Sequence, residues 1–349
     1  MYGTKFQFVA AGGKQEIMNK LINSQERMVP EMLEGYLSLN PDLYCKVPGV
    51  MGIKNKREED KVSVVIAGGS GNEPWVLGFV GDGLADGAAL GNVYTAPPSR
   101  TVLEVTRSVP HDKGVIFIAA NHAGDVLNFE LVRELAELEG IKSHCIYVSD
   151  DISSAPLEKK EERRGIAGIS LVVKIAGAAS KEGYGLEEMK RVVEKAVKNT
   201  RTFGVTTSPG YMPGSGEAMC ELPDGFVEFG MGFNGEPGTK REELLSADAI
   251  TEALMEQLLN EVPAGCEAAF MVNGYGFTSM LELCIVSRKV SEIAEANGIV
   301  NVHSFIDTLF SPQGTGGFSV SILILDDELK ELYQKPCKSP LFRFQGGSR

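Results

Sequence analysis

The sequence predicts an α/β protein made of two α/β units, the first built on a largely parallel sheet flanked by helices. Three observations predict it. Apolar runs rich in β-branched residues alternate with segments whose apolar residues recur at helical spacing, the order that joins parallel strands through helices. The stretch Val62–Pro97 opens as a buried strand, Val62–Ile66, in which every residue but Ser63 is β-branched, and then breaks into Gly68-Gly69-Ser70-Gly71. At 349 residues the chain exceeds one average domain, and a second series of strands and helices starts near Thr202. The boundary is therefore expected near residue 200, with units over 1–200 and 201–349.

Taken in order, residues 15–39 read as an amphipathic helix interrupted by Pro30, and the chain through Lys56 as a lead-in to the first strand. Arg57–Lys61 is a charged loop before the central stretch. Gly114–Ala120 (GVIFIAA) is a second buried strand that runs through Asn121–Asp125 into a helix over Val126–Leu138. Lys142–Val148 is a third strand. Arg164–Ser180 reads as a helix rich in Ala and Gly, whose small residues let a neighbouring helix or backbone approach closely. Leu186–Asn199 is a further amphipathic helix. In the second unit, Thr202–Thr207, Phe226–Gly232 and Glu267–Asn273 read as strands, Ser246–Leu259 and Thr278–Asn297 as helices, and Gly317–Leu325 as a closing strand. The last residues, 346–349, are expected to be a disordered tail or a cloning remnant.

The composition excludes several classes. With 43% hydrophobic and 23% charged residues the chain can bury a sizeable core. A formal charge of −13 disfavours nucleic acid or an anionic membrane as a general partner. The six cysteines show no CxxC spacing, so neither a zinc site nor a disulfide framework is signalled. The first residues lack a basic segment followed by a long apolar core, and no apolar run reaches membrane-spanning length. A cytoplasmic protein is expected.

Three loops at strand ends are candidates for chemistry: Gly68–Pro74, Asn121–Asp125 and Phe233–Gly238. A loop that is almost free of side chains lets backbone approach a ligand closely, and ligands of α/β proteins sit at the carboxyl ends of such strands. The first loop fits no nucleotide motif. It lacks the lysine and hydroxyl of GxxxxGK[ST], and Pro74 interrupts the dinucleotide pattern. A small molecule is the better occupant.

Several long, ordered motifs then point the same way. These are AGGSGNEP (67–74), GFVGDGLADGAALGNVYTAP (78–97), NHAGDVLNFE (121–130) and RRGIAGISLVVKIAGAA (163–179). Beyond them come GVTTSPGYMPGSG (204–216), FGMGFNGEPG (229–238) with KRE (240–242), and TGGFSVSILILDDE (315–328). Over nearly its full length the chain resembles the substrate-binding subunit of dihydroxyacetone kinases. The resemblance implies a two-domain α/β homodimer that holds a short-chain ketose. It also implies that phosphate comes from elsewhere: ATP/ADP with Mg on a separate nucleotide-binding kinase subunit, or a phosphotransferase-system protein. No cofactor is then bound by this chain itself.

The departures from the family pattern are as informative as the matches. Where the family's GGGSGHEP carries an acid/base histidine, this chain has Asn72. Where GIHGEPG carries a histidine that adds covalently to the ketone, it has Asn234, and a lysine usual shortly before the NYTGD-type loop falls on Ala120. The family's acid/base aspartate remains, as Asp125. A carboxamide nitrogen gives its lone pair to resonance and neither attacks a carbonyl nor titrates near neutral pH, yet it still hydrogen-bonds hydroxyls. The expected site is therefore non-covalent. Asp125 takes the hydroxyl proton, Gly68, Gly69, Ser70 and Gly71 line the ketose, and Asn72 and Asn234 hydrogen-bond it. Dihydroxyacetone or a longer relative such as erythrulose is the expected ligand.

Plainer readings stand beside these. Asp125 lies where a helix N-cap would lie, Pro237-Gly238 fits the centre of a type II turn, and His122 is either a substitute base or a surface histidine at the start of a helix. Asp326-Asp327 reads as a strand-end or cap feature. A ketose-sensing coactivator or regulatory paralogue without catalysis is the competing function. An apolar-ligand binder on a related fold is weaker, because the loops are polar.

Overall fold

The computed structural model describes residues 20–213 and 215–347. The expected helix residues 15–19 and the tail residues 348–349 lie outside them. After helix α1 (Met28–Leu39) come strands β1 (Tyr44–Lys46), β2 (Gly52–Asn55), β3 (Ser63–Ser70) and β4 (Gly87–Val93). Helix α2 (Ser99–Ser108), β5 (Val115–Ala120), α3 (Ala123–Leu138) and β6 (Ser143–Val148) complete the first sheet. Pro30 does not interrupt α1. It sits in the first turn, where a backbone N–H would have no helical partner, so the ring is tolerated.

The first sheet has the order β1-β2-β4-β3-β5-β6, with β4, β3, β5 and β6 mutually parallel and the β1–β2 hairpin antiparallel at one edge. The apolar run Val64–Ala67 is buried on both faces, as a central parallel strand requires. One face packs Val65 and Phe117 against Val102 and Val105 of α2 and Phe129 and Val132 of α3. The lead-in expected through Lys56 is in fact the β1–β2 hairpin, too short and mixed in polarity to show a period.

Two helices follow, α4 (Ile169–Lys181) and α5 (Leu186–Asn199). Helix α4 starts five residues later than expected. Asp150 accepts the N–H groups of Ile166 and Gly168 at 2.8 Å each, which holds the preceding segment in a capping turn. Its small residues do allow close approach: a Cβ on Gly177 would lie 2.3 Å from the Gly83 carbonyl oxygen. Helix α5 follows its sequence pattern, burying Met189, Val192, Val193 and Ala196.

The second unit carries β7 (Thr200–Ser208), β8 (Phe226–Phe229), β9 (Lys240–Glu243), α6 (Ala247–Leu259) and β10 (Glu267–Gly274). It continues through α7 (Met280–Ala296), β11 (Val300–Asp307), β12 (Gly316–Leu325) and α8 (Asp327–Tyr333), and ends in the short pair β13 (Cys337–Lys338) and β14 (Arg343–Phe344). Its sheet has the order β11-β10-β12-β7-β8-β9, and only the β10–β11 pair is parallel. Asp326 caps α8 by accepting the Leu329 N–H at 2.9 Å, the cap feature expected for the acidic pair. Helices α6 and α7 cover one face, with Leu254, Leu258 and Val286 against Phe270 and Val320. A single buried cluster takes in Ile66 and Ile118 of the first sheet, Val173 and Val192 of α4 and α5, and Met271 and Leu323 of the second. The two sheets therefore share a core through α4 and α5. No helix among the described residues is long and apolar enough to cross a membrane.

Candidate ketose-binding cleft

The carboxyl ends of β3 and β5 open into a cleft of about 400 Å³. Gly68, Gly69 and Asn72 line it from the β3 loop, His122 and Asp125 from the start of α3, and Asn234 from the loop after β8. Glycine is required where a Cβ would collide with neighbouring backbone or an aromatic ring, or where φ is left-handed. A Cβ on Gly69 would lie 2.8 Å from the Thr95 nitrogen, one on Gly68 would lie 2.7 Å from Trp75 Nε1, and Gly71 has a φ of +105°. Ser70 and Gly71 stand behind the lining. Ser70 Oγ donates to the Gly91 carbonyl at 2.9 Å, and the Gly71 N–H donates to the Glu73 carboxylate at 2.9 Å.

The second unit supplies the far wall. Asn273, fully buried at the end of β10, accepts the N–H groups of Leu309 and Phe310 at 2.9 and 3.1 Å and donates to the Phe310 carbonyl at 2.8 Å. That clamp sets the Phe310 ring against Trp75, with centroids 5.5 Å apart and planes 22° apart, and against Phe233 at 5.0 Å. The Ser311 N–H donates to the Asn72 carbonyl, and Gln313 Nε2 reaches Glu73. The cleft is thus polar along the glycine loop and aromatic opposite it. No lysine or arginine is among its lining residues.

Asp125 is 8% exposed and sits in the first turn of α3, whose N-cap position belongs to His122. It does not act as a cap. Its Oδ1 has no hydrogen-bond partner, and neither has Oδ1 of the buried Asn72. Only four buried side-chain oxygens among the described residues are in this state, and two of them belong to this cleft. Grooves of about 660 and 760 Å³ lie elsewhere, but neither contains such a group. Burial pushes the Asp125 carboxyl up to about 6, opposed by the positive field of His122. Each orphaned acceptor is costly unless a ligand donates to it.

Asn234 differs from these two. It is exposed, its N–H donates to Glu236 at 3.0 Å, and its Nδ2 lies 3.4 Å from the same carboxylate. The type II turn expected at Pro237-Gly238 is absent. Gly238 does not adopt a left-handed φ, and the turn forms earlier, with the Gly235 N–H (φ +85°) donating to the Gly232 carbonyl at 3.1 Å. His122 is no surface histidine: half-buried, it lines the cleft, with Nε2 2.9 Å from the Gly165 carbonyl. Sequence reasoning missed Trp75, Tyr94, Phe233 and Phe310 as lining residues. Trp75, the sole tryptophan, directly follows the glycine loop motif and was the available signal.

Comparison with known proteins gives the family. The family model described as the Dak1 domain matches residues 34–341. A relative in Listeria innocua, the dihydroxyacetone-binding subunit DhaK of PTS-dependent dihydroxyacetone kinase 2, is 37% identical over 93% of this chain and 99% of its own length. The L-erythrulose kinase of Pectobacterium atrosepticum is 35% identical over 93% of this chain, which spans 56% of that enzyme. Among solved structures, the dihydroxyacetone kinase operon co-activator Dha-DhaQ superposes with a TM-score of 0.83 at 28% identity, covering 88% of this chain and 96% of its own. The chain belongs to the Dak1-domain family.

Proposed function

We propose that this chain is a dihydroxyacetone kinase-type substrate subunit. It holds a small ketose non-covalently while a partner subunit delivers the phosphoryl group. The observation that carries the reading is the pair of buried, unpartnered acceptors, Asn72 Oδ1 and Asp125 Oδ1, in one cleft. Two acceptors call for a ligand with at least two hydroxyl donors, and a ketose such as dihydroxyacetone or erythrulose supplies them. Asp125 takes the proton of the attacking hydroxyl, Gly68 and Gly69 keep the floor open, and Asn72 orients the sugar. Asn234 contributes once its amide turns from Glu236. No imidazole stands at 72 or 234, so the ketone stays free. Phosphoryl transfer tolerates this, because positioning and charge stabilisation carry most of its catalysis. Nucleotide and Mg²⁺ belong to the partner subunit in this reading; this chain has no GxxxxGK[ST] motif, and no lysine or arginine is among the residues lining the cleft. A homodimer is the expected assembly, and a phosphotransferase-system protein is an alternative source of phosphate.

The test combines the purified chain with a nucleotide-binding kinase subunit, ATP, Mg²⁺ and a panel of short-chain ketoses. Turnover that disappears in Asp125→Asn supports the reading. One observation favours a second reading, a ketose-sensing regulator: both loop imidazoles are replaced by amides, and a co-activator is among the similar structures. Ketose binding without turnover on any partner or donor would favour that reading.

A further inference from the structure

We propose that the Trp75 indole N–H recognises the ketone: it donates to the carbonyl oxygen of the bound ketose and so separates ketoses from polyols. The proposal rests on the ketose reading above. That reading supplies acceptors for the sugar's hydroxyls and leaves its carbonyl oxygen without a donor.

The indole is fixed in place. Trp75 is 2% exposed, and its backbone N–H donates to the Leu309 carbonyl at 3.0 Å. Phe310 stacks on the ring, and Phe79 packs beside it with centroids 5.5 Å apart and planes tilted by 55°. The Nε1 end takes the space that a side chain at position 68 would fill, since a Cβ on Gly68 would lie 2.7 Å from it. Gly68 and Trp75 both line the cleft.

Nε1 meets no acceptor in the protein. Among the described residues it makes no hydrogen bond, and it is not one of the sealed, unpartnered polar atoms. The N–H of a buried ring that is neither bonded nor sealed opens onto the cavity the ring lines, and that cavity is the cleft. Such a donor favours a ligand that brings an acceptor.

The other side-chain donors on the lining are engaged or two-sided. Asn128 Nδ2 donates to the Gly124 carbonyl at 2.8 Å, His122 Nε2 to the Gly165 carbonyl at 2.9 Å, and Thr95 Oγ1 to the Val93 carbonyl at 3.3 Å. Asn234 Nδ2 lies against Glu236. The Tyr94 hydroxyl already accepts the Gln313 N–H at 3.2 Å. That hydroxyl and the Asn72 amide accept as well as donate, so a sugar hydroxyl satisfies either. An indole N–H only donates. A ketone oxygen only accepts, and it brings no proton that must find a partner against the Phe310 and Phe79 rings. A polyol hydroxyl in the same place brings one. The orphaned acceptors Asn72 Oδ1 and Asp125 Oδ1, together with this donor, therefore match a pair of hydroxyls and a ketone.

Trp75→Phe tests this, because phenylalanine keeps an aromatic ring against Phe310 and removes the donor. In calorimetric titrations of the full chain, the variant should bind dihydroxyacetone about five-fold more weakly than wild type does. Glycerol has the same carbon chain and no ketone. It should bind wild type more weakly than dihydroxyacetone, and Trp75→Phe should narrow that gap. A second measurement needs no variant. Trp75 is the sole tryptophan, so the isotope-labelled chain gives a single indole N–H resonance. Saturating dihydroxyacetone should move that proton downfield, and the carbonyl carbon of the labelled ligand should move downfield with it. Equal affinity of wild type and Trp75→Phe for dihydroxyacetone, or an indole resonance unmoved at saturation, overturns this proposal and leaves the ketose reading standing. Glycerol bound by wild type as tightly as dihydroxyacetone also overturns it. If wild type binds no ketose, the reading beneath fails and takes this one with it.

Discussion

Replacing Asp125 by asparagine should stabilise the free protein while abolishing phosphoryl transfer. Burial raises this carboxyl from an ordinary 3.8 to about 6, so the folded chain prefers the protonated acid more strongly than the unfolded chain does. Its favourable contribution is complete below pH 3.8 and is lost as pH rises through about 6. At pH 8 both states are ionised, and the ionised form holds folding back by about 3 kcal/mol relative to a neutral side chain. Asparagine approximates that neutral side chain. Asp125→Asn should therefore gain up to about 3 kcal/mol at pH 8, about half of that at pH 5, and almost nothing at pH 3.5. Urea unfolding of wild type and variant at the three pH values reads this directly. A ligand-seeking carboxylate makes the difference grow with pH. A variant less stable than wild type at pH 8 would mean that Asp125 has a structural partner, and the functional reading of its orphaned oxygen would fall.

Two further outcomes follow from the architecture. Gly69→Ala places a methyl 2.8 Å from the Thr95 nitrogen, backbone that cannot yield. It should lower stability by about 1–3 kcal/mol and weaken ketose binding, as urea unfolding and calorimetry would measure. Arg163, 1% exposed, donates from both terminal nitrogens to Glu261, which Arg201 also contacts at 2.9 Å. Arg163→Ala leaves that shared carboxylate short of a partner and should lower unfolding stability by about 3–5 kcal/mol.

The sequence made some of this legible and hid the rest for identifiable reasons. Helix α5 shows its buried face at helical spacing and ends where its pattern ends. Strand β3 shows itself through consecutive β-branched residues. Strand β4 does not: its Gly87 is held small by the Val105 and Val109 side chains and its Gly91 by the Thr95–Pro97 backbone, and with Ala88 and Ala89 between them the run carries no period. Strand β9, Lys240–Glu243, is a charged sheet edge with no apolar face to reveal it. In the cleft, Gly68, Gly69, Asn72 and Asp125 could be read from loop motifs at strand ends. The aromatic wall could not, because Trp75 and Phe310 lie more than two hundred residues apart in the chain and meet only in the fold, where Asn273 holds the Phe310 backbone and the Trp75 N–H donates to the Leu309 carbonyl. His122 reads as a surface residue until the Gly165 carbonyl that holds it comes into view.

Exchanging imidazoles for amides changes what the cleft can do to a sugar. A site that traps the ketone covalently discriminates by carbonyl chemistry. One that relies on Asn72 and Asp125 discriminates by the placement of hydroxyl donors, and its affinity then depends on orphaned acceptors finding partners.

The most direct measurement is calorimetric titration of dihydroxyacetone and L-erythrulose into the wild-type chain and into Asn72→Leu at pH 8. Saturable one-site binding to wild type, weakened about ten-fold or more in the variant, is the predicted result. Absence of binding to wild type, or equal binding to both, would contradict a cleft that grips its ligand through these buried oxygens.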